Sequence, residues 1–271
     1  MEKKTKMKNK KQVFGTQEWA AQNANFISGC YHDCKYCYSK EMAIRFKRKT
    51  SLNWKIEDVN HSRLSVRWKK VDGLIMFPSS HDITPINLSY SITFLENLLE
   101  SGNHVLIVTK PHFEVIKEIC EKFKNHRDNI LFRFTIGSKN TSTLKFWELN
   151  APSFEERKKS LKYAFEKGFS TSVSCEPMLD DSTEELVSIL VPYITDSIWI
   201  GKANFLLKRL RTNGITDAVT IKKANELIAL QSDNNIKALY EKLKNTEKVK
   251  WKESIKKVVN LEISTIKGLD I

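Results

Sequence analysis

Short apolar runs alternate with longer amphipathic stretches from about residue 25 to about residue 200. Apolar runs bounded by polar or turn-forming residues are typical of buried strands, and the stretches between them follow the period of a helix. The predicted strands cover residues 25–28, 73–77, 104–109, 129–136, 170–174 and 197–201. The predicted helices after the first five strands cover residues 39–47, 88–100, 111–124, 153–168 and 182–191.

Residues with known positional preferences mark several of these helix ends. Gly102 suits the end of the second helix, and Pro111 suits the start of the third. Ser153 and Ser182 are suited to cap the two helices that follow them. Because each strand is followed by a crossover segment, the six units predict an α/β fold with a parallel sheet.

The alternation stops near residue 205, and the rest of the chain is predicted to be helical. Candidate helices cover residues 219–230, 234–243 and 251–259. We therefore expect a basic tail at residues 1–12, an α/β core at 13–205 and a helical extension at 206–271.

Charge is the unusual part of the composition. The chain has 271 residues with 45 Lys and Arg against 32 Asp and Glu, so its formal net charge is +13. This positive charge favours an anionic binding partner, and nucleic acid is the first candidate. A lysine-biased composition with solvated charged faces is the other interpretation. The basic residues cluster at 3–11, 45–49, 63–70, 202–211 and 242–257.

Three of the five cysteines form a C-x3-C-x2-C motif at Cys30, Cys34 and Cys37. Three thiolates from one loop suit an iron-sulfur cluster with one iron left open. Structural zinc needs four ligands, and His32 in the same loop is the available fourth. The Lys-rich start resembles no secretory signal, no run is long enough to cross a bilayer, and free thiols suit a reducing cytoplasm. A disulfide framework is therefore disfavoured.

The motif, with Tyr36 just before its last cysteine, resembles the signature of the radical S-adenosylmethionine (radical SAM) enzymes. The resemblance implies a 4Fe-4S cluster on Cys30, Cys34 and Cys37, with SAM bound at the open iron and cleaved to a 5′-deoxyadenosyl radical. It also implies an electron donor of the flavodoxin or ferredoxin type. The six units match the partial (β/α)6 barrel of this superfamily, here with a helical C-terminal extension.

Within the superfamily, the stretch 15–47, with residues 174–179 downstream, looks closest to the spore photoproduct lyase-like group, and the resemblance covers roughly residues 13–205. The chain is also similar to a phage-associated three-cysteine radical SAM family. The lyase repairs a thymine lesion in DNA and returns a hydrogen atom from a cysteine just after the second strand. Here residues 79–82 read Ser-Ser-His-Asp, which argues against the same repair chemistry.

Polar residues at the carboxyl ends of the predicted strands are the candidate site, since ligands bind there in parallel α/β barrels. The resemblance implies that Ser79 and Ser80 contact the SAM amino group, although residues 79–82 also suit a polar turn. Lys110 is a candidate partner for the SAM carboxylate or for a substrate phosphate. The other candidates are Tyr36 for cofactor binding, and Ser138 and Asn140 for the SAM ribose.

The fifth strand end carries the candidate catalytic residues. Glu176 is a hydrogen-bonding acid for the SAM adenosine or the substrate. Cys175 is a candidate hydrogen-atom donor, and the alternative is a small buried hydrophobic residue. Arg133, inside the fourth strand, points either into the barrel or outwards. Cys120 and Cys175 are too few for a second cluster.

The sequence therefore predicts a radical SAM enzyme that acts on a nucleic acid or nucleotide. One alternative is a radical SAM enzyme acting on a peptide or small metabolite. The other is a non-catalytic, metal-stabilised nucleic-acid-binding module. The oligomeric state stays open.

Overall fold

A computed structural model describes residues 12–269, and a parallel sheet organises this part of the chain. Most of the predicted basic tail, residues 1–11, lies outside the described residues. Seven strands pair in parallel in the order β1, β4, β5, β6, β7, β8, β9, while β2 and β3 form a separate antiparallel pair. Their bounds are β1 Gln22–Asn23, β2 Ile27–Ser28, β3 Asp58–Val59, β4 Leu74–Phe77, β5 His104–Thr109, β6 Ile130–Thr135, β7 Ser170–Cys175, β8 Ile198–Ile200 and β9 Val249–Trp251.

Helices α1 to α10 lie between successive strands of this sheet, and α11 follows its last strand. Within residues 12–269 they are α1 Tyr38–Arg45, α2 His61–Leu64, α3 Leu88–Glu100, α4 Phe113–Lys122, α5 Thr141–Trp147, α6 Phe154–Glu166, α7 Thr183–Leu190, α8 Leu206–Thr212, α9 Ala218–Leu230, α10 Asp233–Leu243 and α11 Glu253–Val259. Ser153 caps α6 as expected, since its Oγ accepts a hydrogen bond from the Glu156 amide at 3.3 Å. None of the helices in this range has both the length and the apolar character that a membrane span requires.

The predicted α/β class and the partial barrel are confirmed, and the main corrections concern the two edges of the sheet. The first sheet strand is Gln22–Asn23, which is short, polar and exposed, whereas the apolar run at 25–28 contributes β2 to the antiparallel pair. A seventh strand, Val249–Trp251, was not predicted, and it joins the sheet beside β8. The chain after residue 205 is therefore not purely helical.

Alternating side chains of the central strands face two different layers. Ile75, Phe77 and Ile107 pack with helix residues in the main core. Met76 and Leu106, on the other face, pack in a smaller cluster with Trp19, Ala20 and Trp199. The strand period of two thus separates a helix-facing core from the interior of an open barrel.

Arg133 points into the interior of the barrel. Its Nε donates to Ser172 Oγ at 2.9 Å, and its guanidinium pairs with Asp196 at 3.1 Å. The guanidinium carbon lies 4.9 Å from the Trp19 ring and 5.5 Å from the Trp199 ring. These partners compensate for burying the charge, so Arg133 acts as a structural residue of the barrel floor.

Lys252 links the two edges of the sheet, where β1 and β9 do not pair with each other in the described part of the chain. Its side chain is fully buried, and its Nζ lies 2.6 Å from Glu18 Oε1 and 2.9 Å from the Gly15 carbonyl. The same Nζ lies 4.2 Å above the Trp19 ring. A buried ion pair therefore joins the residue after β9 to the turn before β1.

Replacing Lys252 by Met should lower the free energy of unfolding by about 3–5 kcal/mol at pH 8, because a buried charge on Glu18 loses its partner. The loss should be smaller at pH 5. Burial raises the pKa of Glu18 from 4.5 to about 7, despite the opposing charge of Lys252. The folded state therefore binds more protons than the unfolded state between these values, and its stability falls as the pH rises through them.

Urea unfolding followed by circular dichroism at both pH values measures this effect. The matched control is Lys244→Met, which removes an exposed lysine paired with Glu241 and should change stability by less than about 1 kcal/mol. A loss in K252M that is equal at the two pH values would contradict the interpretation.

Candidate active site

A cavity of about 450 Å³ opens at the carboxyl edge of the parallel sheet. Its walls come from residues that follow successive strands, as ligand sites in parallel α/β folds do. Its volume is in the range of small-molecule sites. The strand-end residues that line it are Ser79, Ser80, His81 and Asp82 after β4, Thr109 and Lys110 at β5, Thr135 in β6, Ser174 and Glu176 at β7, and Lys202 and Asn204 after β8.

The cysteine loop forms one wall of this cavity, and Cys30, Cys34 and Cys37 all line it. Cys37 caps α1, and its Sγ accepts a hydrogen bond from the Lys40 amide at 3.4 Å. Gly29 has a φ of 107°, and a Cβ there would lie 2.2 Å from the Ile56 carbonyl oxygen. Only glycine therefore allows the loop to enter at this point.

The three thiols fit an iron-sulfur cluster by their chemistry and their common cavity. All are free cysteines, and burial raises the pKa of each of them. Between residues 12 and 269, no group of three or more Cys, His, Asp or Glu side chains surrounds a position for a single metal ion. A cubane instead binds each thiolate at a different iron, so its ligands are spaced around the cluster.

A buried polar network supports the cysteine loop from the β4 and β5 side. His32 Nδ1 lies 3.1 Å from Asp82 Oδ2, and His32 Nε2 lies 2.9 Å from His112 Nε2. Asp82 also accepts hydrogen bonds from the Lys110 amide and the Thr109 hydroxyl. Burial alone would raise the pKa of Asp82, but His32 and Lys110 lower it well below its usual range. Asp82 is thus an ionised anchor for the loop.

A second network lies behind Tyr36. The Tyr36 hydroxyl donates to Glu148, and Glu148 also pairs with Arg157 where both side chains are fully buried. Burial alone would raise the pKa of Glu148, but Arg157 and Lys110 lower it. Burial would likewise lower the pKa of Lys110, but its acidic neighbours Cys34, Glu148 and Asp82 raise it above its usual range, and of these Glu148 and Asp82 are ionised. Lys110 therefore presents a permanent positive charge to the cavity.

Asn25 fixes the two serines at the end of β4. Its Oδ1 accepts hydrogen bonds from the Ser79 and Ser80 amides at 2.8 and 2.9 Å, and its Nδ2 donates to Ser79 Oγ. Next to them, burial lowers the pKa of His81 to about 4, so its ring is neutral. This ring packs edge-on against Phe26 at 5.2 Å.

Glu176 follows β7, which is the third strand along the sheet from β4, the strand that precedes these serines. Its Oε2 is 3.6 Å from the Nζ of Lys252, and burial raises its pKa. A Cβ at Gly201 would lie 2.9 Å from both the Glu176 and the Lys252 side chains, so glycine leaves the room that they occupy. Lys252, which links the two edges of the sheet through Glu18, therefore also positions Glu176 in the cavity.

Three candidates from the sequence do not line the cavity. Ser138 donates to Asp180, and Asn140 caps α5 by accepting from the Ser142 amide at 2.9 Å. Cys175 lies on the helix-facing side of β7, fully buried in the main core. The two positions that reach the cavity from these strands are instead Thr135 and Ser174. By contrast, Tyr36, Ser79, Ser80, Lys110 and Glu176 all line it.

Sequence reasoning missed several residues of this site. Tyr38 in α1 lines the cavity and donates to the Ser79 carbonyl. The C-terminal segment adds Phe205, Arg209 and Glu253, and the turn before β1 adds Thr16. No local motif identifies these residues, because each reaches the cavity through a long-range contact.

Comparisons with known proteins agree with this arrangement. A sequence model of the Radical SAM superfamily matches residues 24–190. The uncharacterized protein ORF301 of Acidianus two-tailed virus is 26% identical over 184 residues, which cover 61% of this chain and 60% of that protein. This chain therefore matches less than two thirds of that relative's length.

Two solved structures have a similar fold at low sequence identity. Spore photoproduct lyase complexed with dinucleoside spore photoproduct has a TM-score of 0.54 at 15% identity, covering 76% of this chain and 63% of that one. Streptococcus suis SuiB bound to S-adenosylmethionine has a TM-score of 0.50 at 12% identity, covering 92% of this chain and 54% of that one.

Replacing Glu148 by Gln should lower the free energy of unfolding by about 3–5 kcal/mol, because it removes the opposite charge of the buried Arg157 and leaves that guanidinium only the Pro152 and Thr135 carbonyls. The matched control is Glu155→Gln, which removes an exposed acid from an i,i+3 pair and should change stability by less than about 1 kcal/mol. Adding Arg157→Met to E148Q should recover part of the loss, since no unpaired charge then remains. Urea unfolding measures all three, and a double variant less stable than E148Q would contradict the pairing argument.

Proposed function

The chain belongs to the radical SAM superfamily, and we propose that it is a radical SAM enzyme in which Cys30, Cys34 and Cys37 hold the 4Fe-4S cluster that this family uses. The observation that carries the proposal is that all three thiols line one strand-end cavity. With one electron from a flavodoxin- or ferredoxin-type donor, the bound cluster and SAM supply methionine and a 5′-deoxyadenosyl radical. The other residues that line the cavity bind SAM, orient it and exclude water.

The polar residues of the cavity have distinct roles in this proposal. Ser79 and Ser80, held by Asn25, contact the SAM amino group. Lys110 pairs with the SAM carboxylate, since its ammonium is charged and close to the cysteine loop. Glu176 accepts a hydrogen bond from the SAM adenosine. Ser138 and Asn140 have no role in it, because Ser138 donates to Asp180 and Asn140 caps α5.

The proposal keeps the predicted boundary between core and extension at residue 205, but it gives the extension a part in the site. Residues 13–205 are the proposed catalytic core, and residues 206–271 are an extension that completes its cavity. Arg209 and Glu253 support this role of the extension, since both line the cavity from the C-terminal part. The extension therefore belongs to the site as well as to the scaffold.

The proposed substrate is a nucleic acid or nucleotide. The net charge of +13 and the cations at the cavity, Lys202 and Arg209, support an anionic substrate. Repair as in the lyase is not proposed. Among residues 12–269, no cysteine other than the three proposed ligands lines the cavity, and Cys175 faces the helices.

Anaerobic reconstitution with iron and sulfide, followed by reduction in the presence of SAM, tests the enzymatic part. We expect iron-sulfur absorbance and release of 5′-deoxyadenosine. The substrate is tested by adding single-stranded oligonucleotides, duplexes and peptides, and by following which of them alters the amount of 5′-deoxyadenosine released. A response to peptides alone would favour the peptide-modifying alternative.

Replacing any one of Cys30, Cys34 or Cys37 by Ala should abolish cluster absorbance and SAM cleavage, because each thiolate is one of three protein ligands. The matched control is Cys175→Ala, a cysteine outside the cavity, which should keep both. Iron and sulfide analysis, together with chromatography of the reaction products, measures the outcome. A C175A variant that binds the cluster but transfers no hydrogen would restore Cys175 as a catalytic residue.

Replacing Glu176 by Gln should weaken SAM binding roughly tenfold, because a charged hydrogen-bond acceptor becomes a neutral one. Iron content should stay unchanged, since Glu176 is not a proposed ligand. Anaerobic equilibrium dialysis with labelled SAM measures the affinity. Asp181→Asn, a change of the same kind at an exposed position, is the matched control. Equal affinities in E176Q and wild type would exclude this role.

A further inference from the structure

An exposed aromatic residue at the rim of the cavity is not explained by the fold. Phe205 is 74% exposed, and it lines the cavity just before α8. Its φ of 55° and ψ of 30° lie in the left-handed region, which a bulky residue rarely adopts. Both features are unfavourable in the free protein. A ligand that covers the ring would offset them.

Three cations share one carboxylate beside this ring. Glu41 in α1 is nearly buried, and it lies 4.0 Å from Arg45, 3.8 Å from Lys208 and 3.7 Å from Arg209. The cluster therefore has an excess of positive charge. These distances are too long for hydrogen bonds, and Arg209 Nε has no hydrogen-bond partner among the described residues.

The ring, Lys208 and Arg209 belong to one turn of the chain at the start of α8, and Arg45 lies at the end of α1. The Arg209 amide donates to the Phe205 carbonyl at 2.9 Å, and Lys208 Nζ lies 6.0 Å from the Phe205 ring. Arg209 and Phe205 both line the cavity. An anion held by the cations would therefore lie next to a flat apolar surface that faces the solvent.

We propose that Phe205 and the three cations Arg45, Lys208 and Arg209 bind a single-stranded segment of nucleic acid at the mouth of the cavity. The Phe205 ring stacks on an unpaired base, and the cations contact the adjacent phosphates. Aromatic platforms flanked by positive charge are the way in which proteins bind single strands. Base pairs in a duplex are already stacked on both faces, so the ring favours an unpaired base.

A second exposed ring supports this occupant. Phe14 is 40% exposed, lines the same cavity and has Lys257 Nζ 4.6 Å from its ring centroid. Two rings, each accompanied by a lysine, match a substrate that alternates flat bases and anionic groups. An acidic peptide would satisfy the cations but has no regular flat groups for the rings.

The test uses the reconstituted, SAM-loaded enzyme under anaerobic conditions. Binding of fluorescein-labelled 12-mers of thymidine and of uridine, and of a 12-base-pair duplex, is measured by fluorescence anisotropy over a range of salt. We expect tighter binding of at least one single strand than of the duplex. Affinity should fall with salt with a slope of about 0.7 per phosphate contact.

Variants identify the surface that binds. Phe205→Ala should weaken single-strand binding roughly five- to a hundredfold, and Phe205→Trp should retain it. The matched control is Phe165→Ala, which removes an exposed ring from the end of α6, just before β7 begins and so at the opposite edge of the sheet. The double variant R45Q/K208Q should weaken binding and reduce the salt slope. Its control, K117Q/K162Q, removes two exposed, paired lysines on α4 and α6 and should leave both unchanged.

The inference rests on the proposed nucleic-acid function, yet the two can fail separately. If the wild type releases 5′-deoxyadenosine but binds no oligonucleotide, or if F205A binds single strands as the wild type does, the inference is overturned and the radical SAM chemistry stands. If binding depends on Phe205 but no SAM is cleaved, the inference stands and the proposed function fails. Preference for an Asp- and Glu-rich peptide over every oligonucleotide would overturn the choice of occupant.

Discussion

Parallel pairing of the strands is the constraint on which the site depends. In a parallel sheet every strand ends at the same edge, so residues far apart in sequence meet in one cavity. Lys110 after β5 and Glu176 after β7 line the same space for this reason. The cysteine loop opens onto that edge too, which brings three thiols to the polar residues that follow the strands.

The open edge of the sheet imposes a second constraint. Because β1 and β9 do not pair with each other in the described part of the chain, the gap is bridged by a side chain, and Lys252 reaches Glu18 across it. The same ammonium lies 3.6 Å from Glu176. A contact that stabilises the fold is thus also a contact that positions an acid of the cavity. Stability and site geometry are therefore not independent in this protein.

The central strands could be predicted from the sequence because each is an apolar run between turn-forming residues. Lys110 and Glu176 followed from their places at the ends of such runs. The edge strands could not be predicted, since Gln22–Asn23 is polar and Val249–Trp251 has a lysine at its centre, so neither forms an apolar run. Ser138 and Asn140 follow a strand, as expected, but Ser138 donates to Asp180 and Asn140 caps α5. Position after a strand therefore predicts nearness to the cavity, and the other hydrogen bonds of the side chain decide whether it enters the cavity.

No local sequence pattern predicts which buried charges pair with each other. Glu148 and Arg157 lie on neighbouring elements, and their pairing becomes visible only when α5 and α6 are packed. The matched family region ends at residue 190, whereas Phe205, Arg209 and Glu253 reach the cavity from beyond it. Since the chemistry of a site depends on its own residues and not on the fold that carries them, the part that these three residues have in the cavity has to be judged from their side chains. The likeness to spore photoproduct lyase shows the fold, and it leaves this part of the cavity to be argued from Phe205, Arg209 and Glu253 themselves.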